Sequence, residues 1–423
     1  MEHFTGYIPV ENTIDHCLKC NICTTVCPVA AVTDLFPGPK YTAPQAGRFR
    51  NPGEPTADIS VDYCSGCRVC NQVCPAGVKI AEMNARARAT LVQQGKVPIL
   101  RRMRNNIIAR SGTVGKIGQP IAPLANLALN LKPTRWLAEA VLGIARHAPL
   151  PGFSKERFTT WFSRHTPQNH STGEVVYFHG CSTEYFEPHI GRAAVHVLER
   201  NGFRVIVPAQ NCCGLPLLSN GEFPAAHAYH RRNVASLHNY ATAGIPIVGT
   251  STSCTLTLKE EAPDLLDMHD PDTRRVSEQT YDINEFLFNT LADGLLRPGN
   301  YPINLALIYH PPCQYRAHRL GYPALEILKQ IPGLSVRISR TDCCGIAGTY
   351  GIKVEKYPIA MAIGKMLFEQ VKESGAPLVI CDSETCRWHI AKATGIPCVH
   401  PVELLAVSYG YAPYGVLKTV LAK

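Results

Sequence analysis

Eight cysteines near the amino terminus carry one pattern written twice. Residues 17–28 read CLKCNICTTVCP and residues 64–75 read CSGCRVCNQVCP, each a C-x2-C-x2-C-x3-C-P motif. Three thiols at this interval let one short loop wrap a cube of iron and sulfide, and the fourth thiol leads into a helix that points away. Where two such motifs share a domain, the fourth thiol of each reaches the other cluster. The spacing therefore predicts two [4Fe–4S] clusters. Cys17, Cys20, Cys23 and Cys74 hold the first; Cys64, Cys67, Cys70 and Cys27 hold the second. The proline after each fourth cysteine stops the loop folding back and brings no N–H to the cluster. Zinc is a poorer account, because zinc sites draw on two separated pairs of ligands.

Eight further cysteines repeat at a longer interval. Cys181 in FHGC pairs with Cys313 in YHPPC, Cys212-Cys213-Gly214 with Cys343-Cys344-Gly345, and Cys254 in STSC with Cys386 in SETC, at offsets of 132, 131 and 132 residues. A constant offset across three landmarks means a duplicated unit with one thiol set in each copy. Two adjacent cysteines strain a single ion but suit two metals of one cluster. Further iron–sulfur clusters are the first reading, with structural zinc or a metal-free redox thiol pair as alternatives. Cys381 and Cys398 fall outside the repeat and read as buried inert thiols, Cys381 with the option of a spare ligand. His179 and His310 each precede a ligand cysteine. They read as core histidines, or else as donors to a cluster sulfide or proton acceptors beside a quinone.

The elements that must position these thiols change along the chain. Pro, Gly and Asp crowd the 36 residues between Cys27 and Cys64 (FPGPK, NPGEPTAD), so a long loop is expected inside a mostly helical domain. VKIAEMNARARATLVQQG predicts a helix leaving the second motif and ending at Gly95. From about residue 173 short β-rich runs at 175–180, 203–208, 245–251, 303–310, 334–339 and 377–383 alternate with helical patterns near 189–201, 223–242, 283–293, 320–330, 355–374 and 384–394. That alternation predicts parallel sheets with helices on their faces. Ligands then gather at the carboxyl ends of the strands, where distant thiols can converge. Four segments result: 1–95, 96–172, 173–300 and 301–423.

Composition bounds the rest. A chain of 423 residues, 45% apolar, supports two or three cores. The opening MEHFTGYIPVENTIDHC has neither a charged n-region nor an apolar h-region, so no secretory signal is expected and the 18 cysteines stay reduced. No run reaches about 18 consecutive apolar residues, so no membrane-crossing helix is predicted. The charge of +9 is concentrated: residues 96–164 hold 12 Lys and Arg against Glu139 and Glu156. Such a block suits an anionic lipid surface or an acidic subunit, with no nucleic acid expected. PTRWLAEAVLGIARHAPL (133–150) places apolar residues at 136, 137, 140, 141, 144 and 148 on one helical stripe. With RRMR (101–104) upstream and Trp161 and Phe162 nearby, the stripe fits an interfacial helix, or a helix packed on the protein's own core. No G-x-G-x-x-G joins a strand to a helix and no loop is built to cradle phosphate. The chain therefore has no predicted catalytic residue and no substrate site of its own; it reads as a wire.

The repeated CCG with its distant cysteines resembles the cysteine-rich CCG domain of heterodisulfide reductase-like proteins. With the two N-terminal motifs, and with FPGPK, DCCGIAGTYG, AIG at 362–364 and ETCRWHI, the chain resembles the C subunits of anaerobic glycerol-3-phosphate dehydrogenases over nearly its whole length. The fold so implied is multidomain: an α-helical dicluster ferredoxin-like domain, then a duplicated α/β CCG domain. The function so implied is electron transfer and membrane docking. Flavin-containing dehydrogenase subunits would be held, peripherally, at the cytoplasmic face of the inner membrane, and their electrons passed to menaquinone. The same cysteine plan serves the iron–sulfur subunit of a glycolate or lactate oxidase, and a zinc-bearing scaffold with a ferredoxin domain is the non-redox alternative. One departure matters. The wider CCG family often ends its motif in CxxC, and Ser251 and Ser383 occupy the first of those positions. That removes a fifth thiol from each set, points away from non-cubane clusters and disulfide reduction, and leaves four-thiolate clusters or zinc.

Overall fold

A computed structural model describes residues 8–50, 58–167 and 172–422. The NPGEPTA part of the expected N-terminal loop lies outside the described residues. The rest of that loop is not plain coil: residues 39–47 are helical, including a wide turn at Tyr41–Gln45, and Ile59–Tyr63 forms one 3-10 turn. The helix leaving the second motif spans Ile80–Gln93, ends before Gly95, and buries Ile80, Met83, Ala87, Leu91 and Val92.

The C-terminal half holds two four-stranded parallel sheets. The first comprises β1 (Gly173–Phe178), β2 (Phe203–Ile206), β3 (Ile247–Gly249) and β4 (Thr280–Asp282), in the order β2-β1-β3-β4. The second comprises β5 (Ala306–Tyr309), β6 (Ser335–Ile338), β7 (Val379–Ile380) and β8 (Cys398–Val399), in the order β6-β5-β7-β8. The same order in both halves is the duplication seen as topology. Val176 pairs with Ile247 in one sheet, and Ile308 with Val379 in the other. Val175, Val176, Tyr177 and Phe178 are all buried, as expected of a central strand covered on both faces.

All six strands expected from sequence appear, the first shifted by two residues to 173–178 and the other five shortened. The fourth strand of each sheet does not stand out in the sequence, because three residues in one and two in the other carry too little pattern. One apolar core crosses both halves, taking Tyr177, Val195 and Leu198 from the first and Tyr309, Ile327 and Leu405 from the second. Helix Pro188–Arg200 packs on Pro401–Ser408, and Ile283–Ala292 on Pro323–Leu328. Repeat equivalence exchanges these two contacts, so the halves meet about a pseudo-twofold axis.

The connector folds as a run of short helices: Ile99–Ala109, Ser111–Gly118, Ala122–Asn130, Lys132–Leu142 and Phe158–Phe162. The helix expected over 133–150 stops at Leu142. Gly143 turns left-handed (φ +65°), and the chain then runs along the second CCG half, pairing Ile144 with Lys353. Helix Lys132–Leu142 has no buried residue, whereas Ala148, at the end of the same stripe, is buried on the protein's own core. No helix among the described residues is long and apolar enough to cross a membrane.

Candidate metal centres

In each N-terminal motif the loop bends through left-handed residues at matching positions, Lys19 and Asn21 in the first, Gly66 and Arg68 in the second. Non-glycine residues enter this region at a cost of roughly 1 kcal/mol or more, and do so where surrounding structure demands it. Here the curl turns three thiols to one side. A pocket in the domain is lined by Cys17, Cys20, Cys23 and Cys74 together with Val78 and Ile80. Cys27 lies instead in the electrostatic field of Cys64, and Cys70 in that of Cys67, Cys64 and Cys27. The structure thus groups the thiols across the motifs. Backbone N–H of Val78 donates to Cys74 Sγ at 3.4 Å, and the Asn84 side-chain amide to Cys64 Sγ at 3.6 Å. Burial pushes the Cys27 thiol up to about 11 and Cys70 well above its ordinary value. These thiols therefore need a metal's charge to ionise.

The CCG thiols converge as two sets. Cys181 and Cys212 sulfurs lie 3.7 Å apart, and side-chain contacts run on from Cys212 to Cys213 and from Cys213 to Cys254. In the second set Cys313 touches Cys343, and Cys344 and Cys386 sulfurs lie 2.9 Å apart. Gly214 and Gly345 follow each Cys-Cys pair at φ +91°, a backbone that L side chains rarely adopt. Within each set one sulfur, Cys212 or Cys343, is held low by neighbouring S–H groups, with a backbone N–H from Gly345 reaching Cys343 at 3.3 Å.

The donor set fits a sulfide-bearing cluster. Nε2 of His310 and Nε2 of His389 are buried without a hydrogen-bond partner, and both rings lie in the field of Cys343. Two unsatisfied ring nitrogens beside one thiol site leave polar atoms that the protein's own groups do not pair. His310 Nδ1 is paired with Ser339 Oγ at 2.9 Å, whereas His179 sits on the Gly180 carbonyl at 2.8 Å, against the Phe158 ring. Burial holds both histidines down near about 4, hence neutral.

Cys381 packs against Cys386 at the buried end of β7, while Cys398 lies on β8. Burial pushes both thiols up. The first repeat has Gly249 at the position of Cys381. A Cβ there would stand 2.7 Å from Thr255, so that copy has no room for a fifth thiol. In the first CCG motif the serine is structural. Ser251 caps helix Thr252–Leu256 by accepting from the Cys254 N–H, and donates to Glu384 of the other half at 3.0–3.1 Å.

The three buried sites adjoin. Cys67 packs with Cys313 and Cys343 in one cluster, and Gln72 donates to the Cys313 carbonyl at 3.5 Å. Arg68 locks the second loop in place by pairing with Glu82 at 2.6 Å and Glu260 at 3.2 Å. The first CCG set is covered by helix Ser111–Gly118. Gly112, Gly115 and Gly118 share one face, and a Cβ on Gly112 would stand 3.7 Å from Cys212 and 3.8 Å from Cys181. Sequence reading missed this contact, although the G-x-x-G-x-x-G spacing was its signal. It also missed His389, Arg68 and Glu384, whose partners lie far off in the chain.

Comparison with known proteins bears on these sites. A 4Fe–4S dicluster domain matches residues 13–78, and a cysteine-rich domain, CCG, matches residues 175–259 and 307–391. The chain is 38% identical over 400 residues to the C subunit of the anaerobic glycerol-3-phosphate dehydrogenase of Escherichia coli K12, covering 94% of this chain and 98% of the relative. It is 30% identical over 245 residues to the B subunit of the fumarate reductase (CoM/CoB) of Methanothermobacter marburgensis, covering 56% of this chain and 46% of that one. It is 27% identical over 248 residues to "Lactate utilization protein A" of Halalkalibacterium halodurans, covering 55% of this chain and 96% of that one.

Proposed function

Because the chain belongs to the family of C subunits of anaerobic glycerol-3-phosphate dehydrogenases, iron–sulfur subunits of a larger enzyme, we propose that it takes electrons from a flavoprotein partner and delivers them to menaquinone at the cytoplasmic membrane face. The contact of Cys67 with Cys313 and Cys343 carries this reading, because it joins the N-terminal domain to the CCG half at their thiols. When bound, clusters at these thiols supply one-electron carriers. In the N-terminal domain Cys17, Cys20, Cys23 and Cys74 hold one cluster, and Cys64, Cys67, Cys70 and Cys27 the other. Cys181, Cys212, Cys213 and Cys254, and likewise Cys313, Cys343, Cys344 and Cys386, hold one centre each. The remaining residues orient these thiols and keep water from them. Cys20 is exposed, so the first site is where a partner's electrons enter.

The connector is the membrane-docking element. Of 29 large apolar residues exposed on the described surface, 13 lie between Ile99 and Leu142, among them Leu124, Leu127, Trp136, Leu137 and Val141. Apolar side chains amid a basic segment favour an anionic leaflet. The test is flotation of the holo-protein with anionic vesicles at low salt. Wild type is expected to float. A variant with Trp136, Leu137 and Val141 each changed to Asp is expected to stay behind with its iron intact. Equal flotation of both removes the docking role.

The match to lactate utilization protein A over 96% of that relative favours a second reading, an iron–sulfur subunit serving lactate or glycolate oxidation. The flavoprotein that co-purifies with the native chain decides between them.

A further inference from the structure

A cavity of about 380 Å³ lies where three thiol sites face one another. Cys64 and Cys67 and the four thiols of each CCG set form its inner wall, and metal centres would occupy that end. The rest of its lining, the outer part, is different in kind: Ile108, Val114, Leu129, Leu150 and Phe153 of the connector, with Ile352. Ile107 also lines it and is 45% exposed, so the cavity reaches the surface there. Met103, one turn earlier on the same helix, is exposed, and Leu127 is exposed on the helix that presents Leu129 to the cavity. The outer part is thus continuous with the connector's apolar face.

Three features select a ligand. Apolar walls opening on an apolar surface admit a lipid-soluble molecule and give a hydrated anion no counter-charge. The two arginines lining the cavity are already engaged, Arg68 with Glu82 and Glu260, and Arg88 with Asp62 and the Val61 carbonyl. Proximity to thiol sites of both CCG halves suits a molecule that accepts electrons. Finally, Gln314, also lining the cavity, has its side-chain oxygen buried without a hydrogen-bond partner. Its amide can donate to a ring carbonyl and accept from a ring hydroxyl. Phe153 and Trp388 add flat aromatic surface.

We infer that this cavity binds the ring of a lipid-soluble quinone, admitted through the connector's apolar face, with the hydroxyl of its quinol form donating to the unpaired Gln314 oxygen. The inference rests on the quinone reading above. The ring takes up two electrons, which the dehydrogenase partner removes from its substrate, and two protons from water, and leaves as quinol.

The probe is a fluorescent, redox-inert hydroxyquinoline N-oxide titrated into anaerobic holo-protein in detergent. Wild type quenches it saturably. Val114→Trp fills the outer part and weakens binding about tenfold or more. Gln314→Leu removes one hydrogen bond and weakens it roughly three- to tenfold. Unchanged iron and sulfide content checks that each variant folds. Wild-type affinity in both folded variants, or no saturable binding by wild type, overturns the site. A further assay with the dehydrogenase subunits separates the two readings. Undiminished quinone reduction by both variants puts the acceptor elsewhere and leaves the electron-transfer reading standing. No quinone reduction by the wild-type complex ends that reading, and this inference with it.

Discussion

At the scale of single residues, what a cysteine does here depends on which sulfurs it touches. Cys386 lies 2.9 Å from Cys344, inside a set completed by Cys313 and Cys343. Cys381 touches only the outer side of that set, through Cys386. Cys386→Ala is therefore expected to lose the metal of one CCG site, and Cys381→Ala to lose none, as read by iron and sulfide per chain. Equal losses would make Cys381 a ligand. Lys356 is fully buried and bonds Asp62, beside the second motif, at 2.7 Å. Asp62 keeps a third of its side chain exposed, so Lys356→Met should cost about 2–4 kcal/mol, somewhat below a fully buried pair. The loss would appear as iron–sulfur absorbance bleaching at a lower temperature than in wild type. The grouping of the thiols was legible in the sequence because their spacing repeats, locally in the two motifs and at the offset of the duplicated domains. His389, Arg68 and Glu384 were not, since only the folded chain brings them to the thiols or to their partners.

At the scale of elements, the connector is helical as expected, but the helix expected over 133–150 is observed only to Leu142. Gly143 ends it and Pro133 starts it, and both are boundary signals in the sequence. The element that matters most for the sites is Ser111–Gly118. Its glycine face lets the backbone press on the first CCG set, and a Cβ at Gly115 would fall 2.4 Å from the Tyr185 ring. Gly115→Leu should push the helix off and cost roughly 2–3 kcal/mol or more. Its readout is a faster loss of visible absorbance in air, through a newly opened first CCG set. Unchanged air stability would show that the helix does not shield the thiols. Strands and long helices of the CCG halves were legible because their apolar periods are strong. β4 and β8 were not, being too short to show a period, and tertiary pairing alone defines them.

At the scale of the molecule, two duplications stack into one path. A dicluster domain repeats its motif at 47 residues, and a CCG domain repeats at about 132. The second motif's Cys67 meets the second CCG set, and both CCG sets face the same cavity. One end of this series carries the exposed Cys20, and the other opens at the connector's apolar face. The central claim is that redox metal runs through the whole series. Its most direct test is iron, acid-labile sulfide and zinc per chain on anaerobically purified protein, with EPR of the reduced state. About 16 iron with matching sulfide, four clusters of four, is the predicted result. About 8 iron accompanied by zinc would confine electron transfer to the N-terminal domain and contradict the claim.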